Sequence, residues 1–164
     1  MICRLFYNLD QWRCSLGILA WLKRITLDGD IDDLDQPIHF EKGDEKFNGL
    51  NMKQALDAHL EWTRRFESMM KGEQVEKVKY NEVACDDACM LGKWIHGYAK
   101  QAYSTLPEYK ELKNAHANFH LTAGNVVKHI DNADVLQAKE QLKAMRVYSG
   151  RVQLTLARLY AATQ

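Results

Sequence analysis

The sequence predicts an all-α protein, an antiparallel four-helix bundle with an extra N-terminal helix. Three observations indicate this fold class. From residue 51 to near the C-terminus, apolar residues recur at the spacing of three and four that marks one face of a helix. The links between these amphipathic stretches are short, which favours antiparallel neighbours. Only 2 prolines and 9 glycines interrupt the 164 residues, and no stretch alternates in the manner of a strand.

Residues 1–48 are predicted to form an N-terminal helical arm and an acidic linker, ahead of the bundle at residues 49–164. Apolar residues at positions 2–19 step by three and four, which places them on one helical face. Such a helix packs on its own domain, mediates dimerisation or partner binding, or lies at a membrane interface, and all three interpretations stay open. Residues 26–48 are acidic and contain Pro37, as expected for a solvated linker.

The first bundle helix is predicted to run from Asn51 to about Lys71. Asn51 is a good N-cap residue, and Gln54 stands three residues later, where a capping box needs it. Gly72 suits the left-handed conformation that commonly ends a helix. Residues 73–85 are mixed in character, and we expect a loop there.

The second bundle helix is predicted to begin after Asp86, as its N-cap, and to run through Tyr103. Cys89 then falls in the first turn, where the helix dipole and the free N–H groups favour a thiolate. The neighbouring carboxylate of Asp86 opposes this effect, so the sequence leaves the pKa of the thiol open.

The third helix is predicted to have Pro107 in its first turn, after Ser104 or Thr105 as cap, and to continue to about Asp131. A short turn follows. Asp134 is then the predicted cap of a fourth helix that reaches nearly to the C-terminus.

His116 and His120 are the first candidates for metal binding. They lie four residues apart on the third helix, about 40° apart around its axis. Apolar neighbours such as Leu112 and Phe119 indicate that both histidines face inward. A buried imidazole needs a polar partner. A metal ion and ordinary hydrogen bonds within the core are both open as that partner.

Two further residues complete a possible site. His59 lies on the apolar side of the first helix, and Cys89 lies at the start of the second. One cysteine and three histidines favour tetrahedral zinc, with copper as the main chemical rival.

Three motifs, taken in order, resemble the signature of the chemoreceptor zinc-binding domain family. They are HLEW at residues 59–62, CMLGKW at residues 89–94 and HANFH at residues 116–120. The resemblance extends over about residues 51–160. It implies zinc ligation by His59, Cys89, His116 and His120.

The resemblance also implies a four-helix bundle that is usually a homodimer and is attached to chemoreceptors or diguanylate cyclases. The family is associated with sensing zinc or oxidants such as hypochlorous acid. This sequence shows neither a chemoreceptor signalling hairpin nor a cyclase domain. We therefore expect the output to pass to another molecule, such as a chemotaxis or cyclic-di-GMP signalling partner, or to act through the N-terminal arm.

Other potential ligands fit the site less well. His96 lies about 10.5 Å beyond Cys89 along a continuous helix, too far for one ion. His129 points about 180° away from His120 and is expected to face solvent. Cys85 could replace Cys89 as a metal ligand only if the helix began earlier. Otherwise Cys85 is either an inert loop cysteine or a resolving thiol near Cys89.

The sequence also bears on function class and location. Zero net charge without a basic cluster argues against nucleic acid as the main partner. We expect a cytoplasmic protein with reduced thiols and no transmembrane segment. Four protein ligands close a zinc site, so we expect a sensor and no enzyme. A structural or zinc-buffering protein is the alternative, and a zinc hydrolase is a more distant one.

Overall fold

The computed structural model describes residue 40, residues 45–73 and residues 76–164. These residues are mostly helical, with one small sheet of strands β1 (Lys46–Phe47) and β2 (Leu50–Asn51). The helices are α1 (Met52–Met70), α2 (Tyr80–Val83), α3 (Met90–Trp94), a π-helical segment (Ile95–Ala99), α4 (Lys100–Tyr103), α5 (Pro107–Asp131) and α6 (Val135–Ala162). The prediction of a helical protein is confirmed at this level. The four-helix arrangement stays a prediction.

The predicted N-terminal helix lies outside the described residues, as does most of the acidic linker. The domain boundary between residues 48 and 49 also stays a prediction, although β1 and β2 pair across it. In the described part of the chain, no helix combines the length and apolarity needed to cross a bilayer.

Helix α1 begins and ends as the sequence predicts. The side chain of Asn51 accepts a hydrogen bond from the backbone N–H of Gln54 at 3.0 Å, which satisfies one of the free donors at the helix start. Gly72 has a φ of +75°, a conformation that glycine adopts without steric cost. The side of α1 that faces the protein interior includes Phe66 and His59, both buried.

The region before α3 differs from the sequence prediction in two ways. Residues 80–83 form the short helix α2 within the expected loop. The next helix begins at Met90, with Cys89 and not Asp86 as its N-cap. The reason is that residues 86–88 form a turn, while Cys89 is extended and its Sγ accepts a hydrogen bond from the backbone of that first turn.

Helices α5 and α6 pack along each other as antiparallel neighbours, which confirms that part of the prediction. Near the turn that joins them, Asn125 donates to Gln141 at 3.2 Å. At the opposite end, Arg158 lies 3.8 Å from Glu111. The α6 cap is Asp134, as predicted.

The start of α5 is a smaller correction. Pro107 is the first residue of the helix and so lies in its first turn, as expected. The N-cap, however, is Leu106 and not Ser104 or Thr105. No side chain caps this end. Proline contributes no N–H, so one of the donors that a cap would satisfy is missing.

The β-hairpin was not foreseen from the sequence, because each strand has only two residues. Asn48 and Gly49 both have positive φ, the conformation that tight hairpin turns require. The hairpin places Phe47 in the core, 5.1 Å from the ring of Trp94 and 5.3 Å from that of Tyr160. The indole N–H of Trp94 donates to the carbonyl of Asn48 at 3.1 Å. The hairpin is therefore attached to the segment that follows Cys89.

Replacement of Phe47 by alanine tests this attachment. Phe47 is 2% exposed, so the substitution removes a filled core position and should lower the free energy of unfolding by about 3–5 kcal/mol. Leu136→Ala is the control, because Leu136 is 69% exposed and its loss should change stability by less than about 0.5 kcal/mol. Urea unfolding followed by circular dichroism measures both. Equal stability of the two variants would contradict the assigned role of the hairpin.

Candidate metal centre

Four potential metal ligands from three parts of the chain converge. His59 lies in the middle of α1, Cys89 immediately precedes α3, and His116 and His120 lie one turn apart on α5. Each offers one ligand atom, and these atoms all lie within 4.8 Å of one another. The three histidines are buried and the cysteine is half-buried. The fold therefore brings together the four residues predicted from the sequence.

Backbone carbonyls orient two of the histidines. Nδ1 of His59 lies 2.7 Å from the carbonyl oxygen of Ala55, and Nδ1 of His120 lies 2.6 Å from that of Val83. A carbonyl oxygen only accepts, so in both rings Nδ1 carries the proton and donates it. Nε2 of each ring then presents a lone pair, the arrangement found in most metal-binding histidines.

His116 and Cys89 are in direct contact. Nε2 of His116 lies 3.3 Å from Sγ of Cys89. The same sulfur accepts a hydrogen bond from the backbone N–H of Gly92 at 3.2 Å. Cys89 therefore caps α3 and belongs to the ligand group at the same time.

The three imidazoles are neutral at pH 7. Burial lowers the pKa of His59 to about 4, against the opposing effect of its hydrogen bond to Ala55. Burial, with the neighbouring histidines, lowers the pKa of His116 to about 2. Burial also lowers the pKa of His120. Because a metal binds the unprotonated ring, protons compete weakly for this site at neutral pH.

The thiol of Cys89 behaves in the opposite sense. Burial raises its pKa, and the nearby carboxylate of Asp86 raises it further, while backbone N–H groups of α3 lower it. In the absence of a metal the sulfur is therefore protonated at pH 7, which answers the question that the sequence left open. Binding a metal as thiolate must release this proton.

The burial and the donor atoms of the site fit a zinc ion. Nε2 of His59, Nδ1 of His116 and Nε2 of His120 are buried without a hydrogen-bond partner among the described residues. The ring of Phe119 lies 4.7 Å from that of His59, so the surroundings are apolar. Orphaned polar atoms in such a place cost free energy, and a cation shared by the Nε2 atoms of His59 and His120 removes that cost for these two rings. Three imidazoles and one thiolate are a zinc donor set.

The other candidates from the sequence lie outside the group. His96 is half-buried and pairs with Asp86 at 3.0 Å. His129 is half-buried, where solvent exposure was expected, and lies 3.4 Å from Asp134. Cys85 is exposed.

Some residues that orient the histidines could not be predicted from the sequence, because they act through backbone groups. Val83 acts through its backbone carbonyl, and nothing in the sequence marks a carbonyl as a hydrogen-bond acceptor for a histidine 37 positions away. The contact of Ala55 with His59 spans four residues of one helix, so helical spacing could have indicated it. Gly92 allows a close approach that a side chain would prevent, because a Cβ there would lie 1.7 Å from the carbonyl oxygen of Asp86. The neighbour is the turn at residues 86–88, and not another helix.

Comparison with known proteins supports the same interpretation. Residues 59–127 match the family model of the chemoreceptor zinc-binding domain. This range begins at His59 and contains all four potential ligands, and it is shorter than the resemblance seen in the sequence. Neither a curated protein nor a solved structure matches the chain.

We expect one zinc ion per chain by elemental analysis of protein purified without chelator. Replacing His116 and His120 together by alanine removes two of four donors and should lower zinc content at least about tenfold. His129→Ala is the matched control, because His129 lies on the same helix outside the ligand group, and this variant should keep its zinc. A folded double variant with full zinc content would contradict the site.

The zinc-free protein should lose stability as pH falls from about 6.5 to about 4. The pKa of His59 in the folded state, about 4, lies below the ordinary 6.5, so the unfolded chain takes up the proton first. The free energy of unfolding then falls with pH, by up to about 1.4 kcal/mol per pH unit for this residue. Urea unfolding at pH 7 and 5 measures the slope. His59→Phe should reduce it, and a slope equal to that of the wild type would exclude His59 as the cause.

Proposed function

We propose that this chain, in which residues 59–127 match the chemoreceptor zinc-binding domain, is a zinc-binding sensory or regulatory module that signals through a partner protein. One observation carries the proposal. Donor atoms from α1, from the start of α3 and from α5 lie within 4.8 Å of one another. An ion held there links three separate helical segments, so its presence affects how they pack.

Cys89 is the residue through which the state of the site can change the fold. Its sulfur belongs to the ligand group and also accepts the hydrogen bond that caps α3. Helix α3, Met90–Trp94, is the first part of a helical stretch that continues through the π-helical segment to Tyr103, and Cys89 provides its N-cap. Loss of the metal or oxidation of the sulfur therefore weakens the start of α3. This is the two-state element that a switch requires.

The far end of α3 offers a route from the site to the N-terminal segment. Trp94 ends α3 and donates its indole N–H to Asn48 in the β-hairpin. Phe47 of the same hairpin packs on the Trp94 ring. A displacement of α3 therefore reaches the hairpin that follows residues 1–44. These contacts support the proposal that the N-terminal segment carries the output.

We further propose a cytoplasmic homodimer with a chemotaxis or cyclic-di-GMP signalling partner. The family resemblance is the main support. The exposed apolar side chains of Leu121 on α5 and Val147 on α6 are available for contact with a second molecule. A cytoplasmic location supports a reduced Cys89 thiol.

The alternatives differ in measurable ways. A structural or buffering protein needs the same four ligands, but its zinc content would be unrelated to partner binding. Exchange of zinc within the working range of cellular zinc favours sensing, and inert binding favours structure. We propose no enzymatic activity, because four protein donors complete a tetrahedral zinc site and leave no position for a reactive water.

Oxidation of Cys89 tests the redox form of the proposal. Mild hypochlorous acid or hydrogen peroxide should release zinc, because a sulfenic acid is a weaker ligand than a thiolate. A colorimetric chelator measures the release, and hydrogen exchange of α3 measures its opening. In Cys89→Asp a carboxylate replaces the thiolate both as ligand and as helix cap, so this variant should bind zinc but release at least about tenfold less on oxidation.

Two results would decide against the redox form. Zinc that stays bound until the whole protein unfolds indicates a structural metal. Equal release from wild type and from zinc-loaded Cys89→Asp excludes the thiolate as the sensor. Sensing by zinc occupancy alone is then the remaining form of the proposal.

A further inference from the structure

The loop between α2 and α3 carries two cysteines of different exposure. Cys85 is exposed, whereas Cys89 is half-buried and directed at His116. These are the two cysteines of the described residues, and Cys3 and Cys14 lie outside that part. The metal centre uses Cys89 and leaves Cys85 without a role.

Both ends of this loop are held on neighbouring turns of one helix. Val83, just before the loop, accepts a hydrogen bond from the ring of His120 at 2.6 Å. Cys89, at its end, lies 3.3 Å from the ring of His116. The two imidazole rings are 4.6 Å apart on α5. Both ends of the loop therefore contact α5 within about one helical turn of each other. This arrangement keeps the two cysteines close in space.

The turn between the cysteines is also folded back on α3. A Cβ on Gly92 would lie 1.7 Å from the carbonyl oxygen of Asp86 and 3.1 Å from Cα of Asp87. The three residues that separate the cysteines, 86–88, are all in a turn conformation, so the chain is not extended between Cys85 and Cys89. A disulfide needs Cα atoms about 4.4–6.8 Å apart, and a chain that turns between two cysteines four positions apart can bring them into that range.

We propose that Cys85 is the resolving thiol of Cys89, and that oxidation of the metal centre ends in a Cys85–Cys89 disulfide. This inference rests on the proposed redox function. A peroxide attacks as oxidant: the Cys89 thiolate takes one oxygen and becomes a sulfenic acid, and the peroxide leaves as hydroxide. The Cys85 thiolate then attacks the Cys89 sulfur, the S–S bond forms and the S–O bond breaks, releasing hydroxide. In sum, two thiols and one peroxide yield a disulfide and two waters.

Cys89 cannot form the disulfide and bind the metal at the same time. In the structure Sγ of Cys89 is directed at His116, on the buried side of the loop, whereas Cys85 is exposed. Bonding to Cys85 therefore turns the Cys89 sulfur away from the imidazoles and removes its cap from α3. The bond stabilises the released state, and a thiol reductant reverses it. Without a second thiol, further oxidant would take Cys89 to an irreversible sulfinic acid.

The experiment uses the full-length, zinc-loaded protein with hydrogen peroxide and peptide mapping without reduction. Cleavage after Lys79 and Lys93 gives one peptide that contains both cysteines. The disulfide makes this peptide lighter by two hydrogen atoms. Met90, 43% exposed, lies in the same peptide, and its oxidation adds an oxygen and is located by fragment ions.

In wild type we expect the disulfide peptide, zinc release, and recovery of zinc binding after dithiothreitol. Cys85→Ser should still release zinc, but should accumulate at least about fivefold more sulfinic acid at Cys89 and recover correspondingly less zinc. Cys14→Ser is the control for cysteine number and should behave as wild type.

The outcomes separate this inference from the function on which it rests. Zinc release with Cys89 oxidised and Cys85 still a free thiol overturns the disulfide and leaves the redox sensor standing. A Cys85–Cys85 bond between chains also overturns it. Peroxide that neither releases zinc nor oxidises Cys89 overturns both.

Discussion

The burial of three neutral imidazoles around one sulfur is the constraint on which the rest of the structure depends. The rings of His116 and His120 are 4.6 Å apart and that of His59 is 5.2 Å from His116. Each carries a buried nitrogen without a hydrogen-bond partner in the described part of the chain. Such atoms oppose folding unless something binds them. A metal ion that binds only the folded chain offsets this cost. The free energy of unfolding then depends on the concentration of the metal.

The elements around the site follow from this constraint. Helix α1 supplies one histidine and the carbonyl of Ala55 that orients its ring. Val83, at the end of α2, orients His120 in the same way. Gly92 allows the turn at Asp86 to lie against the first residues of α3. The site is thus held by backbone groups as much as by side chains.

Cys89 connects the site to the rest of the molecule because it acts in two ways. As a ligand it contacts α5, and as an N-cap it begins α3. Five residues further on, Trp94 contacts the hairpin at Asn48. The sulfur is thus linked to the hairpin through the first five residues of the helical stretch that runs on to Tyr103, which makes α3 the element that can respond to the state of the metal centre.

Periodicity and residue type determined the long helices and the four potential ligands. Helix α5 ends at the predicted Asp131, and α6 begins after the predicted cap, because long amphipathic stretches and capping side chains are local signals. The HLEW, CMLGKW and HANFH motifs likewise stand in the sequence itself.

Tertiary structure alone decided the start of α3, the hairpin and the orientation of the histidines. Asp86 is as good a cap by type as any residue nearby, yet Cys89 caps α3, because the turn at residues 86–88 and the contact with His116 place its sulfur there. The partner of His120 is a carbonyl 37 positions away. A two-residue strand is too short for a sequence pattern, and the hairpin exists because Phe47 is buried against Trp94. Such contacts join distant parts of the chain, so no local pattern could indicate them.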